Sequence, residues 1–224
     1  MNKKFLIESI WVLAFIFLLI LIKSSALWFY YVPSGSMMPT VILGDRILTN
    51  KLAYGLRIPF MSKPLFNWSL PKRGEIIVFL SPKDKNTFVK RVVGLPNDVL
   101  HFQNGILFVN GVSVNETPIQ KITYEHFEYI EVIEKSDEFG LPEHSILSAR
   151  EAGQTFFESR RFVVPTDKLF VLGDNRDNSY DSRAFGYVDK NSIYGKMVGI
   201  LFSTDRNEHF FPEFRGERFL KSIK

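Results

Sequence analysis

Three short blocks of this chain carry side chains that could do chemistry together. The first is Pro33-Ser34-Gly35-Ser36-Met37-Met38-Pro39-Thr40. Two serines separated by one glycine suit a tight exposed turn, because glycine accepts backbone angles other residues resist and flanking prolines stiffen the approach. A serine hydroxyl is a weak nucleophile until a base takes its proton. A polar linker could use the same letters, yet Met37-Met38 would then leave a greasy patch in water. The block does not fit G-x-S-x-G, which argues against an α/β-hydrolase elbow. The four histidines, His101, His126, His144 and His209, occupy no ligand-like or partner-like spacing. A nucleophilic Ser36 therefore points to a base other than histidine, and Ser–Lys pairs are a known convergent solution.

The second block is Phe88-Val89-Lys90-Arg91-Val92-Val93-Gly94-Leu95-Pro96. Lys90 sits in an apolar strand pattern. Pointing inward, its ammonium would be disfavoured by burial and its pKa would fall. Working as a base near neutrality needs a drop of roughly 2–3 units from 10.4, about 3–4 kcal/mol. Pointing outward, it would be a common edge-strand lysine. The third block, Gly173 to Arg183, reads GDNRDNSYDSR. It fails the EF-hand pattern, and its two arginines oppose a metal cage. A rigid loop held by Asp–Arg pairs is the more physical alternative to a solvated turn.

The elements that must position these blocks are mostly strands. Short β-prone runs bounded by turn residues occur at 45–52, 75–80, 88–93, 106–109, 162–164, 169–172 and 193–202. Asn104-Gly105 and Asn110-Gly111 flank the fourth run in a hairpin pattern. No long segment keeps a 3.6-residue apolar period. The abundance of phenylalanine, 22 residues, also suits pleated surfaces. Residues 100–166 are more acidic and hold none of the three blocks, so they read as an inserted β subdomain. The expected division is 1–31 as cytoplasmic N-terminus and membrane anchor, 32–99 and 167–224 as the two parts of a catalytic core, and 100–166 as the insertion. Asp205–Lys224 is expected to be a surface tail or a short final helix.

The anchor is read from Phe5 to Ile22, which carries one charge, Glu8. A spanning helix needs ~20 apolar residues, and a signal-peptide core roughly 7–15, so an uncleaved single span is expected. Lys3 and Lys4 precede it and only Lys23 follows closely, placing the N-terminus in the cytoplasm and residues after about 25 outside. The formal net charge is +4, with no basic block of the kind that tracks phosphates, so nucleic acid is not expected as a partner. The absence of cysteine excludes disulfides, thiolate catalysis and Cys-ligated metal.

Taken in this order behind an apolar N-terminus, the blocks resemble bacterial type I signal peptidase, a Ser–Lys serine protease family. The resemblance spans Val32–Gly55, Arg73–Asp98 and Phe170–Phe202. It implies Ser36 as nucleophile and Lys90 as general base, with Ser34 completing the oxyanion site and Ser179 orienting Lys90. Asp174 with Arg91, and Asp181 with Arg183, would be supporting ion pairs. Val32, Pro33, Met37, Val41, Phe88 and Val89 match positions that line the family's substrate cleft, which selects small residues in A-x-A-like sites. The implied partners are secretory preproteins and the lipid bilayer of a bacterial inner membrane, with no cofactor and no metal. Two other readings compete. A self-cleaving Ser–Lys repressor would need a DNA-binding segment in place of an anchor, and an inactive scaffold would lack Ser36 or Lys90.

Overall fold

The computed structural model describes residues 8–13, 15, 26–57, 64–124, 127–149, 160–205 and 213–223. The expected mostly-β character holds. Among the described residues, the largest sheet has nine strands. Its main path runs Leu27–Tyr31, Asp45–Asn50, Ile193–Asp205, Ile76–Leu80, Thr87–Gly94, Lys168–Leu172 and Val188–Asp189. Strand Asp45–Asn50 alternates buried and half-buried residues, the signature of a strand with one face on a core. Ile76–Leu80 is buried almost throughout because it lies inside the sheet, between Ile193–Asp205 and Thr87–Gly94.

Residues expected to form an insertion build two smaller sheets. One has four strands and contains both Asn-Gly turns. Asn104, Gly105, Asn110 and Gly111 all have positive φ. That is the condition for the two-residue turns that match strand twist. The other sheet joins Asn115–Tyr124, Phe127–Ser136 and Leu141–Ser148 in antiparallel order. The first two of these are ten-residue strands that no sequence pattern had singled out.

The described part of the C-terminal segment expected to be a surface tail or a short final helix, residues 213–223, contains a short helical turn, Gly216–Arg218, and also returns to the sheet. Lys221–Ser222 pairs with Gly199–Ile200, and the buried Arg218 clamps Asp45, with its Nε 2.9 Å from Oδ1. Met37-Met38 leaves no greasy patch in water, in keeping with the objection to a linker. Met37 is buried with Val32, Val41 and Ile47, and Met38 packs against Tyr129 and Leu147.

The expected anchor falls largely outside the described residues. Residues 8–13 and 15 within it are helical, and Ile10, Trp11, Val12, Leu13 and Phe15 are exposed apolar side chains. Among the described residues, no helix is long and apolar enough to cross a membrane.

Candidate active site

Ser36 lies in a turn that leaves the large sheet after strand Leu27–Tyr31 and returns to it at Asp45. The turn is closed by Met38 N–H donating to Gly35 O at 3.0 Å and Val41 N–H donating to Met37 O at 2.9 Å. Burial of Met37 and Val41 beneath it fixes the turn to the core. Lys90 comes from the middle strand Thr87–Gly94, paired across to Ile77. Successive strand residues point to opposite faces, so Lys90 and Arg91 reach different groups. Lys90 Nζ stands 2.5 Å from Ser36 Oγ.

Lys90 is only 4% exposed. Burial lowers its pKa to about 8; Asp181 and Asp174 pull it back up, and Arg183 adds to the lowering. An ammonium at this site donates to Ser36 Oγ, whereas a neutral amine accepts the hydroxyl proton. Ser34 Oγ lies 3.4 Å from Ser36 Oγ, on the exposed rim of the same turn.

The loop Gly173–Arg183 closes the site from below. Gly173 must be glycine because a Cβ there would stand 2.4 Å from Ser36 O and 2.2 Å from Ser179 Oγ. Both expected ion pairs form. Arg91 Nε and Nη2 donate to Asp174 at 2.8 and 2.7 Å, and Arg183 donates to both oxygens of Asp181 at 2.8 Å. Such two-pronged guanidinium–carboxylate contacts fix geometry as well as charge. Burial opposes ionisation of Asp174 and Asp181, but Arg91 and Arg183 outweigh it and hold both carboxyls below the usual range.

A cleft of about 610 Å³ opens over Ser36 and Lys90. Five of the six expected lining residues border it: Val32, Pro33, Met37, Phe88 and Val89. Val41 does not; it is wholly buried in the core under the turn, and so supports the cleft instead of lining it. Ser179 departs from its expected contact. Its Oγ is buried against Gly173 and has no hydrogen-bond partner among the described residues.

The sequence pattern had not pointed to Tyr30, Asn178 or Tyr180, which also border the cleft. Tyr180 stacks edge-on against Phe88 with ring centroids 6.2 Å apart. Nor had it pointed to Glu134, Arg176 and Asn175, which pack behind the turn. The polar character of Asn175 and Arg176 inside a loop that must be buried was the available signal.

A family model described as signal peptidase, peptidase S26, matches residues 6–202. The chain is 33% identical to Signal peptidase I of Buchnera aphidicola subsp. Acyrthosiphon pisum, covering 94% of this chain and 80% of that one. It is 35% identical to Signal peptidase I of Pseudomonas fluorescens, over 83% of this chain and 64% of that protein. With Signal peptidase I of Bacillus caldolyticus it shares 35% identity over 75% of each chain.

Proposed function

The chain belongs to the signal peptidase, peptidase S26 family, and from that membership we propose that it is a membrane-bound endopeptidase that removes signal peptides through a Ser36–Lys90 dyad. Family membership supports a peptidase acting on preproteins. The finer reading rests on one observation, the buried Lys90 amine 2.5 Å from Ser36 Oγ at the floor of the cleft.

In this mechanism, neutral Lys90 takes the Ser36 proton as Oγ attacks the scissile carbonyl. The tetrahedral oxyanion accepts hydrogen bonds from the Ser36 N–H and the Ser34 hydroxyl, each donor worth ~3 kcal/mol. Lys90 then gives the proton to the leaving amine, and an acyl-enzyme on Ser36 remains for water to hydrolyse. With a pKa of about 8, the amine is neutral in only a minority of molecules at neutral pH, so the rate climbs with pH until Lys90 is deprotonated. Val32 and Met37 give the cleft an apolar wall beside Ser36. With the family membership, that supports a preference for small apolar residues next to the cleaved bond.

The test is cleavage of a preprotein with an A-x-A site by detergent-solubilised protein. Wild type should release the mature protein, with kcat/KM rising through a midpoint near pH 8 to a plateau above it, while folded Ser36→Ala and Lys90→Ala are inactive. Full activity in Lys90→Ala would sink the dyad. Anchoring by the apolar run Phe5–Ile22 is supported by the exposed apolar side chains of residues 10–13 and 15. In a fractionated cell the protein should sediment with membranes and resist alkaline extraction. Release by alkali would remove the spanning anchor from the proposal.

A further inference from the structure

The peptide between Gly35 and Ser36 is held from behind by a residue of the Gly173–Arg183 loop. Asn175 is fully buried. Its Nδ2 donates to Gly35 O at 3.2 Å, and its backbone N–H donates to Ser36 O, also at 3.2 Å. Because its amide faces a carbonyl, the nitrogen must be the atom on that side. The Gly35 carbonyl and the Ser36 N–H belong to one peptide unit and, in a planar trans peptide, point in opposite directions. Holding Gly35 O toward Asn175 therefore turns the Ser36 N–H away from the loop. That N–H donates to no protein group among the described residues, so it is free for the oxyanion. Met38 N–H is the second donor on Gly35 O, at 3.0 Å.

Asn175 is in turn fixed by the three-stranded sheet of residues 115–148. Leu147 forms a parallel bridge with Asn175. Leu147 N–H donates to Asp174 O at 2.8 Å, and Arg176 N–H donates to Leu147 O at 2.9 Å. Ala149 N–H reaches Asp177 Oδ2 at 2.7 Å. Next to the bridge, Arg176 grips Glu134 with both Nη groups, and His144 Nε2 lies 3.2 Å from Glu134 Oε2. Glu134 has no exposed surface; burial opposes its charge, but Arg176 and His144 outweigh this and keep it ionised. A charge this deep is retained only with its partner in place, so the pair ties the sheet to the loop.

We propose that Asn175 is a positioning residue that aims the Ser36 N–H into the oxyanion site, and that the inserted sheet, through Leu147 and the Glu134–Arg176 pair, holds Asn175 there. This rests on the reading of Ser36 as nucleophile. An interaction felt only as charge develops lowers kcat without weakening substrate binding.

The experiment uses the full-length protein in detergent with a preprotein substrate. Wild type and Ser36→Ala bracket the assay; if Ser36→Ala still cuts, the nucleophile reading falls and this proposal falls with it. With Ser36→Ala dead, Asn175→Ala and Asn175→Asp are compared. Loss of an oxyanion donor outright costs on the order of 10²–10³ in kcat. Because Met38 N–H remains, Asn175→Ala should lose roughly 10–100-fold in kcat, with KM within about twofold and the pH midpoint of kcat/KM unmoved. Asn175→Asp keeps the shape, opposes an oxygen to Gly35 O, and should lose at least as much. Glu134→Gln should show the same pattern at a smaller size. A peptide aldehyde, whose hemiacetal oxygen occupies the oxyanion position, should lose affinity in step with kcat, and this reading decides the matter on Asn175→Ser if the alanine variant does not fold. Folded variants that keep kcat within about threefold of wild type, or that lose rate through KM or through a moved pH midpoint, would overturn the proposal.

Discussion

Lys90 and Arg91 are neighbours on one strand, and both are buried basic side chains, yet their surroundings treat them oppositely. Arg91 meets a carboxylate with two hydrogen bonds and gives a third to Gly74 O at 2.7 Å. Lys90 meets a hydroxyl, with Asp174 and Asp181 acting only at longer range. Those two carboxylates are already committed to Arg91 and Arg183. The paired face of the strand therefore keeps its charges and gains rigidity. The other face leaves an amine that burial pushes toward neutrality. An unpaired buried charge is costly. The difference shows how one strand can carry a scaffold on one side and a titrating group on the other, with only the direction of the side chains separating them.

Breaking the paired face should have the larger effect on stability. Arg91→Met leaves Asp174 buried beside Thr40, whose hydroxyl donates to it at 2.5 Å, without its counter-ion. Removing one partner of a buried pair costs on the order of 3–5 kcal/mol, to be read from denaturant midpoints at constant m. The sign with pH is distinctive. In wild type the depressed Asp174 pKa contributes stability above its unfolded value, and this is lost as pH falls through the lower folded value. In Arg91→Met, burial without the guanidinium raises that pKa, so the deficit should widen as pH rises from about 3 to 7. Arg91→Met/Asp174→Leu should recover much of the loss. A deficit independent of pH would mean that lost packing, not the stranded carboxylate, sets the cost.

How far these arrangements were legible in the linear chain depends on range. The Asn104-Gly105 and Asn110-Gly111 turns could be read directly, because the chemistry of positive φ lies within the dipeptide. Most core strands were placed to within a residue or two by their apolar runs. Ser36 and Lys90 could be paired only by likeness to a known arrangement, since nothing local links a turn to a strand 54 residues on. What covers Met37 could not be read, because its neighbours Val32 and Ile47 lie on other parts of the chain. Asp45 and Arg218 are 173 positions apart, and the C-terminal segment therefore read as a tail. The long strands of the three-stranded sheet escaped notice because their exposed faces carry mixed polar residues, as in NETPIQKITY, which blurs a period of two. The contact expected of Ser179 failed for a related reason. Its position in the loop was right, but its hydroxyl is turned against Gly173 instead of Lys90.

Substituting on the titrating face should have a smaller effect, and of opposite sign. Lys90→Met removes an amine that the fold holds near a pKa of about 8 against an ordinary value of 10.5. Above 10.5 the amine is neutral in both states and its ionisation costs nothing. As pH falls from 10.5 to 8 the unfolded chain takes up a proton that the folded chain refuses, so wild-type stability declines across that window and then levels off. The full decline is about 3 kcal/mol at 1.36 kcal/mol per unit. Methionine fills similar volume without charge, so Lys90→Met should be more stable than wild type at pH 7 by roughly 1–3 kcal/mol, the lower figure allowing for the lost contact with Ser36. The gain should shrink toward zero as pH approaches 10.5. The check is a pair of denaturation series between pH 6.5 and 10.5, taken as the difference between the two proteins so that other titrating groups cancel. A variant that is inactive and no more stable at pH 7 would show that Lys90 carries no strain in the resting protein. Burial would then not be what holds the amine toward neutrality.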